Sequence, residues 1–215
     1  MSDRARRPRR PRRHRRRLSG EVLAGLLALV VLVAGGVGVA VVQSGNPLNV
    51  RGAATAPPWG RPATDQLETR AAAAGLENVW GQDLAMHVHT HLSITVDGQA
   101  VTVPGDIGHD SDAKFAAEIH THDTSGIVHV ESPTRETFVL GQLFSEWDVA
   151  LDGQGVGSLG HNDGLELHTF VGGSPYTADP AGIPLRDFER IDLVLAPIGE
   201  TVTAPPAFAW PADYR

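Results

Sequence analysis

Glu118-Ile119-His120-Thr121-His122-Asp123-Thr124-Ser125-Gly126-Ile127-Val128-His129-Val130-Glu131 sets two short β-type runs on either side of a cluster of turn formers, Asp123 to Gly126. The segment therefore reads as a tight hairpin. With the turn centred between Thr124 and Ser125, His120 lies opposite His129, and His122 opposite Ile127. Side chains on a strand alternate between faces, and directly opposed residues share one. The pattern thus predicts His120, His122 and His129 on one face of a two-stranded ribbon.

Upstream, Met86-His87-Val88-His89-Thr90-His91 repeats the period-two spacing, with three imidazoles on one strand face. If the two ribbons are neighbours, His87, His89, His91, His120, His122 and His129 converge. Neutral imidazole suits zinc and copper, and nitrogens on alternate strand positions can share one ion. Against this stands a bland alternative, in which the rings hydrogen-bond to neighbours such as Glu118, Asp123 or Glu131. A single H-x-H would favour the bland reading. Here five of the ten histidines lie in H-x-H patterns, and crowded imidazoliums repel one another in acid. The clustering therefore points to copper or zinc.

Composition narrows the ligand set. The chain has no cysteine, so thiolate zinc and iron–sulfur sites are excluded, and its only methionines are Met1 and Met86. Met86, beside the first histidine run, is a candidate soft ligand for Cu(I). Asp123 and Glu131 are candidates for orienting the imidazoles, although Asp123 equally suits the first position of the turn. His109, His161 and His168 stand alone and read as surface or core residues. No catalytic residue can be named. Three histidines around an ion with an open fourth position would allow a metalloenzyme, and a structural or interaction domain needs no ion at all. The chain has no G-x-S-x-G, phosphate-cradling glycine loop or dinucleotide fingerprint.

The chain's 215 residues suit one ordinary domain with appendages. Residues 1–17 hold ten arginines and one acid, Asp3. From Gln43 onward there are 8 basic residues against 23 acidic ones, a net of −15. So acidic a body is a poor nucleic-acid binder and can attract cations. Val22 to Val42 is a 21-residue run without a charge. At about 1.5 Å per residue it spans the ~30 Å of a bilayer core. The arginines before it place the N-terminus in the cytoplasm and the body outside. A cleaved signal peptide is the competing reading, with Gly38-Val39-Ala40 as the cleavage site, but the run exceeds the usual ~7–15 residues.

The expected organisation is an Arg-rich cytoplasmic tail over 1–20 and a transmembrane anchor over 21–42, the chain's one membrane contact. A Pro/Gly-rich linker follows over 43–63, then a histidine-rich domain over 64–200 and a Pro/Ala-rich tail over 201–215. The chain would thus be a single-pass plasma-membrane protein with an extracytoplasmic C-terminal domain. Within that domain, Asp65 to Ala74 reads as a short helix capped by Thr64 or Asp65, and His87 to Val96 as a strand. Asp97-Gly98 turns the chain into a returning strand, Ala100 to Val103. Ser111 to Glu118 reads as a helical turn. Leu140, Leu143, Phe144 and Trp147 have the spacing of a helix packed on a sheet. A Gly-rich loop spans Asp152 to Gly164, and Leu165 to Val171 and Ile191 to Leu195 are later strands. The sum is an α+β domain of mainly antiparallel hairpins with one packed helix. Its order suits a β-grasp-like sheet.

Three motifs together carry a resemblance: H-x-H-x-H-L-x-I-x-V-D-G from His87, I-H-T-H-D-T-S-G-I-V-H-V-E-S-P from Ile119, and F-x-L-G-Q-L-F-x-x-W from Phe138. They are similar to an uncharacterised family of secreted or membrane-anchored prokaryotic His-rich proteins. The likeness runs from about His87 to Trp147 and brings no activity with it. It implies a cysteine pair in the loop after the helix. This chain lacks one, which removes the basis for a thiol or redox role.

Overall fold

The computed structural model describes residues 52–214. The expected cytoplasmic tail and the anchor over Val22 to Val42 lie outside them. Among the described residues no helix is long and apolar enough to cross a membrane.

After helix α1 (Leu67–Ala74) comes the long strand β1 (Met86–Val96), which the Asp97-Gly98 turn folds back into β2 (Gln99–Val101). Short pieces β3 (His109–Asp110), β4 (Phe115–Ala116) and β5 (Ile119–His120) lead to β6 (Ile127–Ser132) and helix α2 (Leu140–Trp147). A small meander follows, β7 (Leu151–Asp152), β8 (Gly155–Val156) and β9 (Leu159–Gly160), then β10 (Leu165–Val171), β11 (Ser174–Tyr176) and β12 (Glu189–Pro197). The main sheet runs β11-β10-β12-β1-β6-β5, with β2 also on β1. The α+β class and the hairpins are as expected. The central pair, β1 with β12, is instead parallel.

Strand alternation divides the sheet into two chemistries. On one face Leu92 and Ile94 of β1, Val128 and Val130 of β6, and Ile191, Leu193 and Leu195 of β12 are buried. Leu140, Leu143, Phe144 and Trp147 of α2 join the same core, each at most 2% exposed. Burying such a side chain is worth about 1.5–3 kcal/mol, so these four residues anchor the helix in the apolar core. Gln142 fixes its start: Oε1 accepts the Val139 amide at 2.9 Å and Nε2 donates to Ala74 O at 3.1 Å, which ties α2 to α1. The opposite face of β1 presents His87, His89, His91 and Ser93.

Four local expectations are corrected. Ser111 to Glu118 is no helical turn: Asp110 pairs with Phe115, and His109 with Ala116, in a short hairpin. The Asp110 carboxylate accepts the amides of Asp112 and Ala113 and so favours a turn there. Neither Thr64 nor Asp65 caps α1, which begins from a 3₁₀ turn without a side-chain cap. The glycine-rich stretch is partly strand, since close strand approach at Gly155 and Gly160 leaves no room for a Cβ. Part of the expected linker is packed: Trp59 is 4% exposed, its ring lies 6.0 Å from that of Trp147, and Ala53 bridges Val149.

Candidate metal centre

Register brings the histidines together. On β6, His129 is the partner of His89 on one side and of His120 on the other. Three adjacent strands thus place one imidazole each in a row, with ring centroids 4.7 Å apart for His89–His129 and 5.4 Å for His129–His120. His87, two residues before His89 on the same face, lies 4.6 Å from it.

The turn departs from expectation and still delivers His122. After His120 the chain leaves β6, and Ile127 pairs with His91 instead of His122. The cause is Thr121, whose hydroxyl donates to Pro104 O and accepts the Ile107 amide, while its backbone bonds with Asp106 and Ile107. The strand end is thereby drawn toward the loop 104–107. The ring of His122 turns back over the row, 4.8 Å from His120 and 4.5 Å from His129.

Two sets of three ligand atoms result, each lying mutually within 4.8 Å: His87, His89 and His129, and His120, His122 and His129. In the second set His120 Nδ1 is 2.8 Å from Ala117 O. A carbonyl only accepts, so this nitrogen carries the proton and Nε2 is left with a lone pair. That Nε2 is 3.3 Å from His122 Nε2. Two nitrogens held ~2.0–2.1 Å from one tetrahedral ion stand about 3.3–3.4 Å apart, so the pair is spaced as ligands are. His129 Nδ1 is buried without a hydrogen-bond partner, a condition that costs about 1–3 kcal/mol unless something binds there. The donor set and the orphaned nitrogen both fit a borderline or soft divalent ion.

Four of the five rings, those of His89, His120, His122 and His129, are biased toward the neutral form that binds metal. Burial pushes the His120 pKa down to about 3, against the bond to Ala117 and with help from neighbouring His122 and His109. Burial followed by the surrounding histidines lowers that of His129 to about 2. His122 is lowered by burial and His109, against the pull of Glu131, Asp106 and Asp123, and His89 by burial and His87. Ligands must be unprotonated, so little proton competition remains near neutrality.

Not every predicted residue belongs. Five of the six histidines fall in the two sets; His91 does not. It lies on the same strand face but stacks on Phe208 at 3.6 Å, in the C-terminal tail that crosses this side of the sheet. Gly126, at φ +81°, packs against its ring, and a side chain there would meet His91 Nε2 at 3.2 Å. Tyr214 of the same tail sits edge-on to His89 at 4.7 Å.

His109, read as a solitary residue, has its ring 4.7 Å from His122 and 5.7 Å from His120. The signal was Gly108. At φ +64°, with Ile119 O 2.6 Å from where its Cβ would be, it lets this loop lie directly on β5.

Of the two acids, Glu131 is among the imidazoles, with Oε1 3.1 Å from His87 Nε2. Asp123 accepts the Ser125 amide and serves the turn. His161 falls in the 3₁₀ turn after β9, and His168 on β10 contacts Glu166 at 3.9 Å.

Comparison with protein-family models, with curated proteins and with solved structures returns no match in any of the three.

Proposed function

We propose that this chain is a membrane-anchored, extracytoplasmic metal-binding protein that takes up copper or zinc through strand-borne histidines. The observation that carries the reading is the His120–His122–His129 set, with His120 and His129 buried, the three ligand atoms mutually within 4.8 Å, and the His120 and His122 nitrogens 3.3 Å apart as ligands of one ion are. Absence of cysteine, together with the packing of Met86 against the core and not among the imidazoles, leaves imidazole and carboxylate as the donors, a set suited to Zn(II) and Cu(II), with copper favoured by intrinsic affinity. The acidic body would draw cations toward the site. The uncharged run Val22 to Val42 behind an arginine cluster supports the anchor and its orientation. Kinship with the His-rich extracytoplasmic family that the motifs resemble belongs to the same reading. A β-grasp-like description is supported by the strand order, with β1 and β12 parallel at the centre, a hairpin to either side and α2 in the connection.

Elemental analysis of protein purified without an affinity tag or chelator tests the proposal. The native chain should retain copper or zinc in stoichiometric amount, and the His120→Ala/His122→Ala variant should lose it. Metal-free native protein that also fails to bind added Zn(II) or Cu(II) would end the reading.

A further inference from the structure

We propose that the histidine row holds two metal ions, bridged by the carboxylate of Glu131. This rests on the metal-binding reading above and deepens it.

The ligand count is the first argument. Five imidazoles occur in the two sets, more than the four positions of a zinc site. The sets overlap at His129 alone. Spacing across the sheet is the second. His87 and His89 belong to β1 and His120 to β5, on opposite sides of β6. Neighbouring strands are about 4.8 Å apart, so these flanks are separated by about 10 Å of backbone. One ion would sit over the β1–β6 seam and the other over the β5–β6 seam, about one strand spacing apart. That is about 1 Å beyond the ~3.5–4 Å of two-metal sites, so the ions would sit slightly inward of the two seams, toward the middle strand.

Glu131 occupies the middle strand between those seams, two residues beyond His129 and on the same face. Its Oε1 is 3.1 Å from His87 Nε2 on one flank, and 4.0 Å from both His120 Nε2 on the other flank and His129 Nδ1. A single carboxylate oxygen therefore faces a ring from each pair. Two dications among neutral imidazoles also need an anion in contact with them. Among the described residues, Glu131 is the carboxylate within 4.0 Å of the cluster on both flanks. The ligand class is a pair of first-row divalent ions, copper or zinc, with Glu131 as the bridge; a neutral imidazole has one free lone pair, so His129 ligates one ion of the pair.

The test uses the full-length chain, purified without a tag and stripped of metal. It is loaded with Zn(II) or Cu(II), dialysed and assayed for metal per chain, with copper samples also examined by electron paramagnetic resonance. Native protein should hold two ions, and its Cu(II) form should show a coupled pair with a half-field transition. Glu131→Gln removes the bridging charge at nearly constant shape and should hold one ion with an ordinary uncoupled spectrum. Circular dichroism matching the native protein would show that this variant folds. His87→Ala, altered at a more exposed ring, should also drop to one ion and supplies the answer if Glu131→Gln does not fold. One ion per native chain would overturn the two-ion centre while leaving metal binding intact. Two ions without coupling, or two ions kept in Glu131→Gln, would overturn the bridge. No ion at all would remove the metal-binding reading itself.

Discussion

Replacing His120 by Phe should flatten the acid sensitivity of the metal-free protein by about 2 kcal/mol between pH 7 and pH 5. His120 is 1% exposed, and its pKa falls from 6.5 to about 3 on folding, chiefly through burial. The sign follows from proton counting. Below pH 6.5 the unfolded chain takes up a proton at this residue that the folded chain refuses, so acid favours unfolding. The contribution is complete above 6.5 and is lost progressively down to about pH 3. At about 1.36 kcal/mol per pH unit, the 1.5 units between 6.5 and 5 amount to roughly 2 kcal/mol. Phenylalanine is the nearest apolar ring, slightly larger, and cannot titrate; any packing cost does not vary with pH. Its loss of the bond to Ala117 O adds an offset that does not vary with pH. The assay is urea unfolding of chelator-treated native and variant protein at the two pH values. Parallel changes in the two proteins would refute the claim that His120 is buried neutral.

Three further outcomes are expected. Trp59→Ala should destabilise by about 3–5 kcal/mol in thermal or urea unfolding, because Trp59 is buried against Trp147 and not part of a free tether; a change within 0.5 kcal/mol would restore the tether. Glu146 is fully buried on α2 with neither oxygen partnered, and burial raises its pKa from 4.5 to about 7. Stability from that residue is lost as pH rises from 4.5 through 7, so Glu146→Gln should gain roughly 2–3 kcal/mol relative to native between pH 5 and pH 8. Removing residues 207–215 uncovers His91 and His89. It should shift the His91 ring resonances in NMR while leaving metal stoichiometry unchanged, since His91 lies outside both ligand sets.

The histidine row is legible in the sequence because it rests on alternation and register, both local. The turn between His122 and Gly126 sits between two runs whose apolar faces must match, which fixes His120 opposite His129. The spacing of Leu140 to Trp147 gave α2 for the same reason. What escaped was set by contacts distant in sequence. His122 was placed opposite Ile127 because nothing nearby reveals that Thr121 bonds to Pro104 and Ile107. His109 joins the cluster through a loop that Gly108 lets settle on β5, and His91 leaves it for Phe208, 117 positions away. Proline and alanine in the tail hid three aromatic residues, Phe208, Trp210 and Tyr214, whose presence argued for packing. The parallel pairing of β1 with β12 closes the domain from its two ends, which no window of sequence contains.

X-ray absorption at the metal edge of the zinc- or copper-loaded full chain addresses the histidine cluster most directly. The account predicts a first shell dominated by nitrogen at about 2.0–2.1 Å, with the outer scattering of at least two imidazoles per ion. A shell of oxygen alone, without imidazole scattering, would contradict it.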